Sequence, residues 1–293
     1  MTVFPTAPVA DAVAVPAARS AVRRPVPAAA TVVRTRRLSP TMVRVVFEAP
    51  AGFAMNGFTD SYVKLIFPRA VYPQPLDLDR IKRELPVEQW PVVRTYSVRG
   101  FDPVTHELTV DFVVHGTVGV AGPWAAAAQP GDTLFVRGPS GAYSPDPSAD
   151  WHLFAGDESA LPAIAAALET LPAHARGHAV IEVPGPESRL PLAAPEGVTV
   201  TWLHTGYRPI GERLVEVVRG IELPLADVQA FVHGEAGWVA QIRRLLRVDR
   251  QLPARRLSIS GYWRLGNDEE GWRAGKAQWN AAAEEIERRA GVA

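Results

Sequence analysis

The sequence predicts a small antiparallel β-barrel followed by an open α/β domain. Three observations carry that expectation. From Thr31 to about Gly138 the chain runs as short β-branched segments broken by Gly, Pro and Asp turns. From Trp151 onward, similar segments alternate with helical stretches, the pattern of a parallel sheet covered on both faces. The length, 293 residues, suits about two domains.

Six segments would form the barrel: TVVRTRRLS (31–39), TMVRVVFEA (41–49), SYVKLIF (61–67), RTYSVRG (94–100), LTVDFVVHG (108–116) and DTLFVRGP (132–139). A proline- and charge-rich insertion at 68–91 reads as a long loop with one helical turn, and a short helix at PWAAAAQPG is stopped by Pro130-Gly131. Five buried-looking strands follow: WHLFAG (151–156), HAVIEVP (178–184), TVTWLHT (199–205), AFVHGE (230–235) and RLSISGYW (256–263). Helices are clearest at SALPAIAAALETL (159–171) and GWVAQIRRLLRV (237–248), and residues 268–290 read as a long terminal helix with Trp272 and Trp279. The expected organisation is an Ala/Pro-rich flexible tail at 1–30, a barrel domain at 31–147, and an α/β domain with its terminal helix at 148–293.

Composition removes several function classes. Hydrophobic residues make up 47% and charged ones 21%, enough for a buried core. The 31 basic and 31 acidic residues balance, so no bulk attraction to nucleic acid or membrane is implied and any basic site must be local. With no cysteine, disulfides, iron–sulfur clusters and thiolate chemistry are excluded. No apolar run approaches the ~20 residues of a membrane span. Arg23-Arg24 is followed by Pro25 and Pro27 rather than a sustained apolar stretch, so the expected location is the cytoplasm.

The segment VVRTYSVRG (92–100) carries the chemistry. On a strand, Arg94 and Tyr96 share one face while Ser97 and Arg99 share the other. The same residues also suit a solvated edge strand. A barrel ahead of a parallel α/β domain is, however, an arrangement that holds a flavin against a nicotinamide. An aromatic can cover a flavin ring, a hydroxyl can bond its hydride-accepting nitrogen, and arginines can neutralise a pyrophosphate.

Arg94-x-Tyr96-Ser97 resembles the flavin motif of the ferredoxin-reductase superfamily. The ordered set RTYSVRG, VDFVVHG, GPWAAAAQPGD, GDESALPAI and SGYWRLG resembles the siderophore-interacting protein family of FAD-dependent ferric-siderophore reductases, over roughly residues 31–270. The resemblance implies a six-stranded Greek-key barrel and a five-stranded parallel sheet, together ferredoxin-reductase-like. It implies that Arg94 pairs with the FAD pyrophosphate. Tyr96 and Ser97, the catalytic pair, pack on the flavin and approach its reactive edge, and Arg99 lies near the phosphates or adenine. Backbone groups of Asp111, Val113 and Val114 would meet the flavin or ribitol, and His115 the phosphates or adenine. Gly119, Val120, Ala121 and Gly122 would offer helix-entry amides to phosphate. The family usually has Pro where Val120 stands and a small hydroxyl where Gly122 stands, which removes a side-chain bond but leaves the amides. Asp157, Glu158 and Ser159 would act as acceptors for ribose or adenine, or simply as a helix cap. Tyr262, Trp263 and Arg264 would turn toward the flavin, with Trp263 alternatively packing under the terminal helix.

Such an enzyme moves electrons from NADH or NADPH, or from ferredoxin, through FAD to a ferric siderophore, whose oxygen donors hold Fe(II) less tightly than Fe(III). The protein itself need not ligate iron. Candidate cations for an anionic complex are Lys64, Arg69, Arg264 and Lys276. Arg208, in GYRPIGERL, could read a 2′-phosphate, while His204 and Thr205 leave the nucleotide preference open. Two other readings stay open: a general NAD(P)H:flavin or quinone-type reductase or an oxygenase reductase component, and a non-enzymatic siderophore-binding protein.

Overall fold

In the computed structural model, which describes residues 26–69, 71–72 and 76–292, all six expected barrel strands are present. They are β1 (Ala28–Ser39), β2 (Met42–Glu48), β3 (Tyr62–Phe67), β4 (Val92–Asp102), β5 (Glu107–Val113) and β6 (Thr133–Ser140). They close antiparallel in the order β1-β2-β5-β4-β3-β6. β1 begins at Ala28, inside the segment read as tail, because Ala28–Thr31 pair with β6. The rest of that expected tail, residues 1–25, lies outside the described residues.

Inward-facing Val32, Val45, Phe47, Val63, Leu65, Leu108, Val110, Phe112 and Leu134 fill the barrel. Each such aliphatic or aromatic side chain contributes about 1.5–3 kcal/mol on burial. The 68–91 insertion carries helix α1 (Leu78–Glu84), capped by Asp77, whose carboxylate accepts from the amides of Asp79 and Arg80. Helix α2 (Ala121–Ala127) plugs one barrel mouth with Trp124, which lies 6.1 Å from Phe47 and 5.9 Å from Phe112.

The second half is a five-stranded parallel sheet, ordered β11-β10-β7-β8-β9. Its strands are β7 (Trp151–Asp157), β8 (Gly177–Val183), β9 (Val198–His204), β10 (Val228–Glu235) and β11 (Leu257–Trp263). One face packs on α3 (Leu161–Thr170) through Phe154, Ile181 and Phe231. The other packs on α4 (Glu212–Gly220) and α5 (Ala236–Arg244) through Ala155, Val180 and Val232. Cover on both faces explains why every residue of β10, an interior strand, is buried.

Helix α4 escapes the periodicity reading because it is short and has no side-chain cap. It starts from Gly211 at φ +79°, whose amide donates to Glu182 at 2.6 Å. A Cβ there would stand 2.2 Å from the Trp238 ring, so only glycine fits.

The two halves share a core. Met42, Leu38 and Val113 of the barrel, with Tyr143 just after β6, pack against Phe154, Phe231 and α3. Polar staples surround it. Within the barrel, Arg44 of β2 grips Asp111 of β5 through two bonds of 2.7 and 2.8 Å, and across the junction Arg99 pairs with Glu169 of α3. The terminal helix α6 (Glu269–Arg289) is locked to α5 by Glu287, which accepts from Arg243 at 2.6 Å and Arg247 at 3.0 Å. Trp279 adds a bond to the carbonyl of Ala236 at 3.2 Å.

Candidate functional site

The site grows from an interruption in the barrel ladder. β4 pairs with β5 only between Val98–Val110 and Asp102–Glu107, with a bulge at Gly100. Beyond Val110 the strands diverge: residues 92–97 keep their pairs with β3, and residues 111–113 keep theirs with β2. Arg94, Tyr96 and Ser97 therefore line one lip of an unpaired gap, and Asp111–Val114 line the other. The Tyr96 ring bridges it, 4.4 Å from Phe112. Burial pushes the Tyr96 hydroxyl well above the usual phenol range; Glu269 adds to the rise and Arg94 opposes it. The phenol stays protonated and a donor at every physiological pH.

Arg94 is 17% exposed and donates to Glu270 at 2.5 Å, with Glu269 at 3.7 Å. Ser97 is buried, with Tyr262 of the β11 end in its neighbourhood; burial pushes the Tyr262 hydroxyl well above the usual phenol range, and Ser97 opposes the rise. Lys64 stands opposite Thr95 in the β3–β4 ladder. Lys276 of α6 donates to the carbonyl of Gly261 at 2.9 Å. Burial lowers the Lys276 pKa, and the charge of Lys64 lowers it further, which places the two ammonium groups in one electrostatic neighbourhood. The strand end thus gathers Arg94, Tyr96, Ser97, Lys64, Tyr262 and Lys276.

Other anticipated residues lie elsewhere. Arg264 is exposed just past β11, beyond the strand end that carries Tyr262. Arg69 is spent on the insertion, donating to the Glu88 carbonyl at 2.8 Å. Arg99 is tied across the two halves to Glu169 of α3, and the Asp111 side chain is taken up within the barrel by Arg44, its cross-strand neighbour. The Val114 amide donates to the Thr41 carbonyl at 2.8 Å. His115 is exposed on the glycine-rich loop after β5, where Gly116 and Gly119 take positive φ and nothing would meet a Cβ within 4 Å. That loop enters α2 at Val120, with no side-chain cap, so the first amides remain open. Gly122 lets α2 close on β5: a Cβ there would stand 3.3 Å from the Val113 carbonyl. The small hydroxyl expected at that position would crowd the lip.

At the carboxyl end of β7, both oxygens of buried Asp157 are occupied by protein donors. Oδ1 accepts from the Ser159 amide and hydroxyl, and Oδ2 from the Glu235 amide and Trp263 Nε1. Asp157 therefore ties together the ends of β7, β10 and β11, and Trp263 is part of that tie. Glu158 instead faces the barrel, accepting from Thr41 at 2.5 Å, with Ser188 Oγ 3.1 Å from the same hydroxyl. Burial raises its pKa to about 7, partly offset by the Thr41 bond and reinforced by Asp157.

Sequence reasoning missed four participants: Thr41, Ser188, the Glu269–Glu270 pair, and Arg189. Arg189 follows β8 and donates to His204 Nε2 at 3.0 Å. Each acts through a contact distant in sequence, which no local spacing reveals. Arg208 is held by carboxylates of α4, Glu216 at 3.0 Å and Glu212 at 4.0 Å.

Residues 31–143 match the siderophore-interacting FAD-binding domain, and residues 149–266 match the siderophore-interacting protein family. The chain is 33% identical over 250 residues to the ferric vibriobactin reductase ViuB of Vibrio cholerae, covering 82% of this chain and 90% of that one. It is 31% identical to the NADPH-dependent ferric-chelate reductase of Escherichia coli, covering 80% and 91%. The crystal structure of the siderophore-interacting protein SipS from Aeromonas hydrophila superposes with a TM-score of 0.76 at 30% identity, covering 88% of this chain and 99% of that one. The shared fold extends to ferredoxin-NADP+ reductase from Plasmodium falciparum, at 13% identity and a TM-score of 0.61 over 80% and 96% of the two chains.

The raised pKa of Glu158 has a readable consequence. A carboxyl whose folded pKa exceeds its unfolded value stabilises the fold below about pH 4.5 and loses that contribution as pH climbs through about 7. Relative to Glu158→Gln, the wild-type chain should lose roughly 2 kcal/mol between pH 5 and pH 8. Urea unfolding of both proteins at the two pH values checks this; a difference independent of pH would contradict it.

Proposed function

The chain belongs to the siderophore-interacting protein family, and from that premise we propose that it is an FAD-dependent reductase of ferric siderophores. The observation that carries the proposal is the splayed end of β4 and β5. It sets a half-buried arginine, a protonated tyrosine and a buried serine hydroxyl on one lip, facing open helix-entry amides across the other. That donor set fits a flavin dinucleotide, since it combines a cation and amides for phosphate with an aromatic and a hydroxyl for the ring.

In this reading Arg94 and the amides around residues 120–122 hold the pyrophosphate. Tyr96 orients the ring, its own tilt set by Phe112, and Ser97 directs its hydroxyl to the reactive edge. FAD, when bound, supplies the conversion between two-electron hydride chemistry and the single electrons that Fe(III) accepts. Lys64 and Lys276 draw in an anionic ferric complex. Iron enters only as part of that substrate, held by the siderophore's own oxygens. The barrel, 31–147, serves the flavin, and residues 148–293 receive the electron donor, in the cytoplasm, where reduced nicotinamide is regenerated.

NADPH is the donor we favour over NADH or ferredoxin. The relative in Escherichia coli is named for NADPH dependence. In this chain Arg189 and Arg213 converge on His204 at the carboxyl end of β9, where ligands of parallel sheets bind. Arg208 is already balanced by two carboxylates, so Arg189 is the better reader of a 2′-phosphate. Arg189→Ala should raise KM for NADPH about tenfold or more, the loss of one charge-assisted bond, with KM for NADH unmoved. Equal effects on both nucleotides would remove that assignment.

Placement of the flavin on β4 is tested by the Arg94→Ala/Tyr96→Ala double variant. It should purify with little FAD and bind added FAD at least ~100-fold more weakly, because it removes both a charge-assisted bond to phosphate and the aromatic surface beneath the ring. Undiminished flavin content in the double variant would show that the cofactor sits elsewhere.

A further inference from the structure

The first turn of α6 grips the same strand segment that the flavin reading assigns to the cofactor. Glu270 takes the Arg94 guanidinium at 2.5 Å, and Glu269 lies 3.7 Å from its Nε. Thr95 donates to Glu269 at 3.3 Å. Arg273, one turn on, donates to Glu269 at 3.1 Å and to the Val93 carbonyl at 3.4 Å. The turn itself is well formed, because Asp268 caps it by accepting from the Gly271 amide at 2.7 Å. Farther along, α6 is anchored independently through Glu287 and Trp279. Trp272 in the same turn is buried against Gly261 and stands 5.8 Å from the Trp279 ring, so it is the Glu269 and Glu270 side chains that can leave Arg94 while the helix stays docked.

Two carboxylates beside one arginine are an unfavourable setting for a pyrophosphate. Arg94 is the only cation at hydrogen-bond distance from Glu270 among the described residues, whereas Glu269 also has Arg273. A dianionic ligand on Arg94 meets like charge from both glutamates, at side-chain exposures of 22% and 51%, where screening by water is incomplete for the first.

Resting on the flavin reading above, we propose that the first turn of α6 is an anionic gate on the cofactor site. Glu269 and Glu270 compete with the FAD pyrophosphate for Arg94, so that cofactor binding and docking of this turn on β4 oppose each other. The linkage is reciprocal: whatever holds the turn down weakens FAD, and FAD loosens the turn to the same degree. The device keeps FAD exchangeable and makes the hold of Glu269 and Glu270 on β4, beside Lys276 and Tyr262, report whether the cofactor is in place.

The test is FAD binding to the full chain, followed by quenching of flavin fluorescence, together with hydrogen exchange of residues 269–275. Glu269→Gln/Glu270→Gln should bind FAD about tenfold tighter than wild type, the scale of removing like charge at a partly exposed site. Glu270→Gln alone keeps the Asp268 cap and Arg273 pair, guarding against loss of the helix, and should give about threefold. Glu285→Gln, near the far end of α6, should change nothing. In the wild type, added FAD should speed exchange in 269–275. If the glutamine variants bind FAD equally or more weakly while Arg94→Ala still weakens it, the gate is wrong and the flavin reading stands. If Arg94→Ala binds FAD like wild type, the placement of the pyrophosphate fails and the gate falls with it.

Discussion

A guanidinium keeps its charge at every physiological pH, and Arg94 holds one at 17% exposure on a strand backed by the barrel core. Such a group needs an anion within reach, and much of the junction is arranged around that need. The divergence of β4 from β5 opens the space in which an anion can approach, and the uncapped start of α2 brings further donors to its rim. The first turn of α6 delivers carboxylates to the same side chain. Tyr96, next along the same face, has its ring set by Phe112 and its hydroxyl kept protonated by burial, so it contributes shape and a donor without adding charge.

The remainder of the molecule keeps this strand end in register with the parallel sheet. The apolar contact through Met42, Val113, Tyr143, Phe154 and Phe231 fixes the two halves together. Around it, Arg99–Glu169 and Thr41–Glu158 set their rotation. Asp157 then joins three strand ends of the sheet, and through Trp263 it orients the turn that carries Tyr262. At the strand end this register brings cations together with a buried hydroxyl.

Both sheets were legible in the chain because their signals are local. Alternating β-branched runs marked the barrel, and continuous apolar runs such as those of β8 and β10 marked strands buried on both faces. Helix α4 was not legible, since its start depends on Gly211 fitting against Trp238 rather than on a capping side chain. The site divides in the same way. Arg94, Tyr96 and Ser97 stand in one short motif and could be picked out together. Arg99 and Asp111 carry residue types suited to a cofactor, yet their charges are consumed, by Glu169 across the junction and by Arg44 on the neighbouring barrel strand. Residue type alone does not show which charges are already paired. Thr41, Arg189 and the Glu269–Glu270 pair reach their partners only through the fold.

If electrons pass through a flavin at the β4 strand end to a ferric siderophore, anaerobic titration of the FAD-loaded protein will show it. NADPH is added first, then a ferric tris-catecholate in the presence of a chromophoric ferrous chelator. NADPH should bleach the flavin absorbance, and the ferric complex should restore it. The ferrous chelate should then form in a ratio of about two iron atoms to one flavin, since each Fe(III) accepts a single electron. A flavin that bleaches but is not reoxidised by the ferric complex would contradict this route for the electrons.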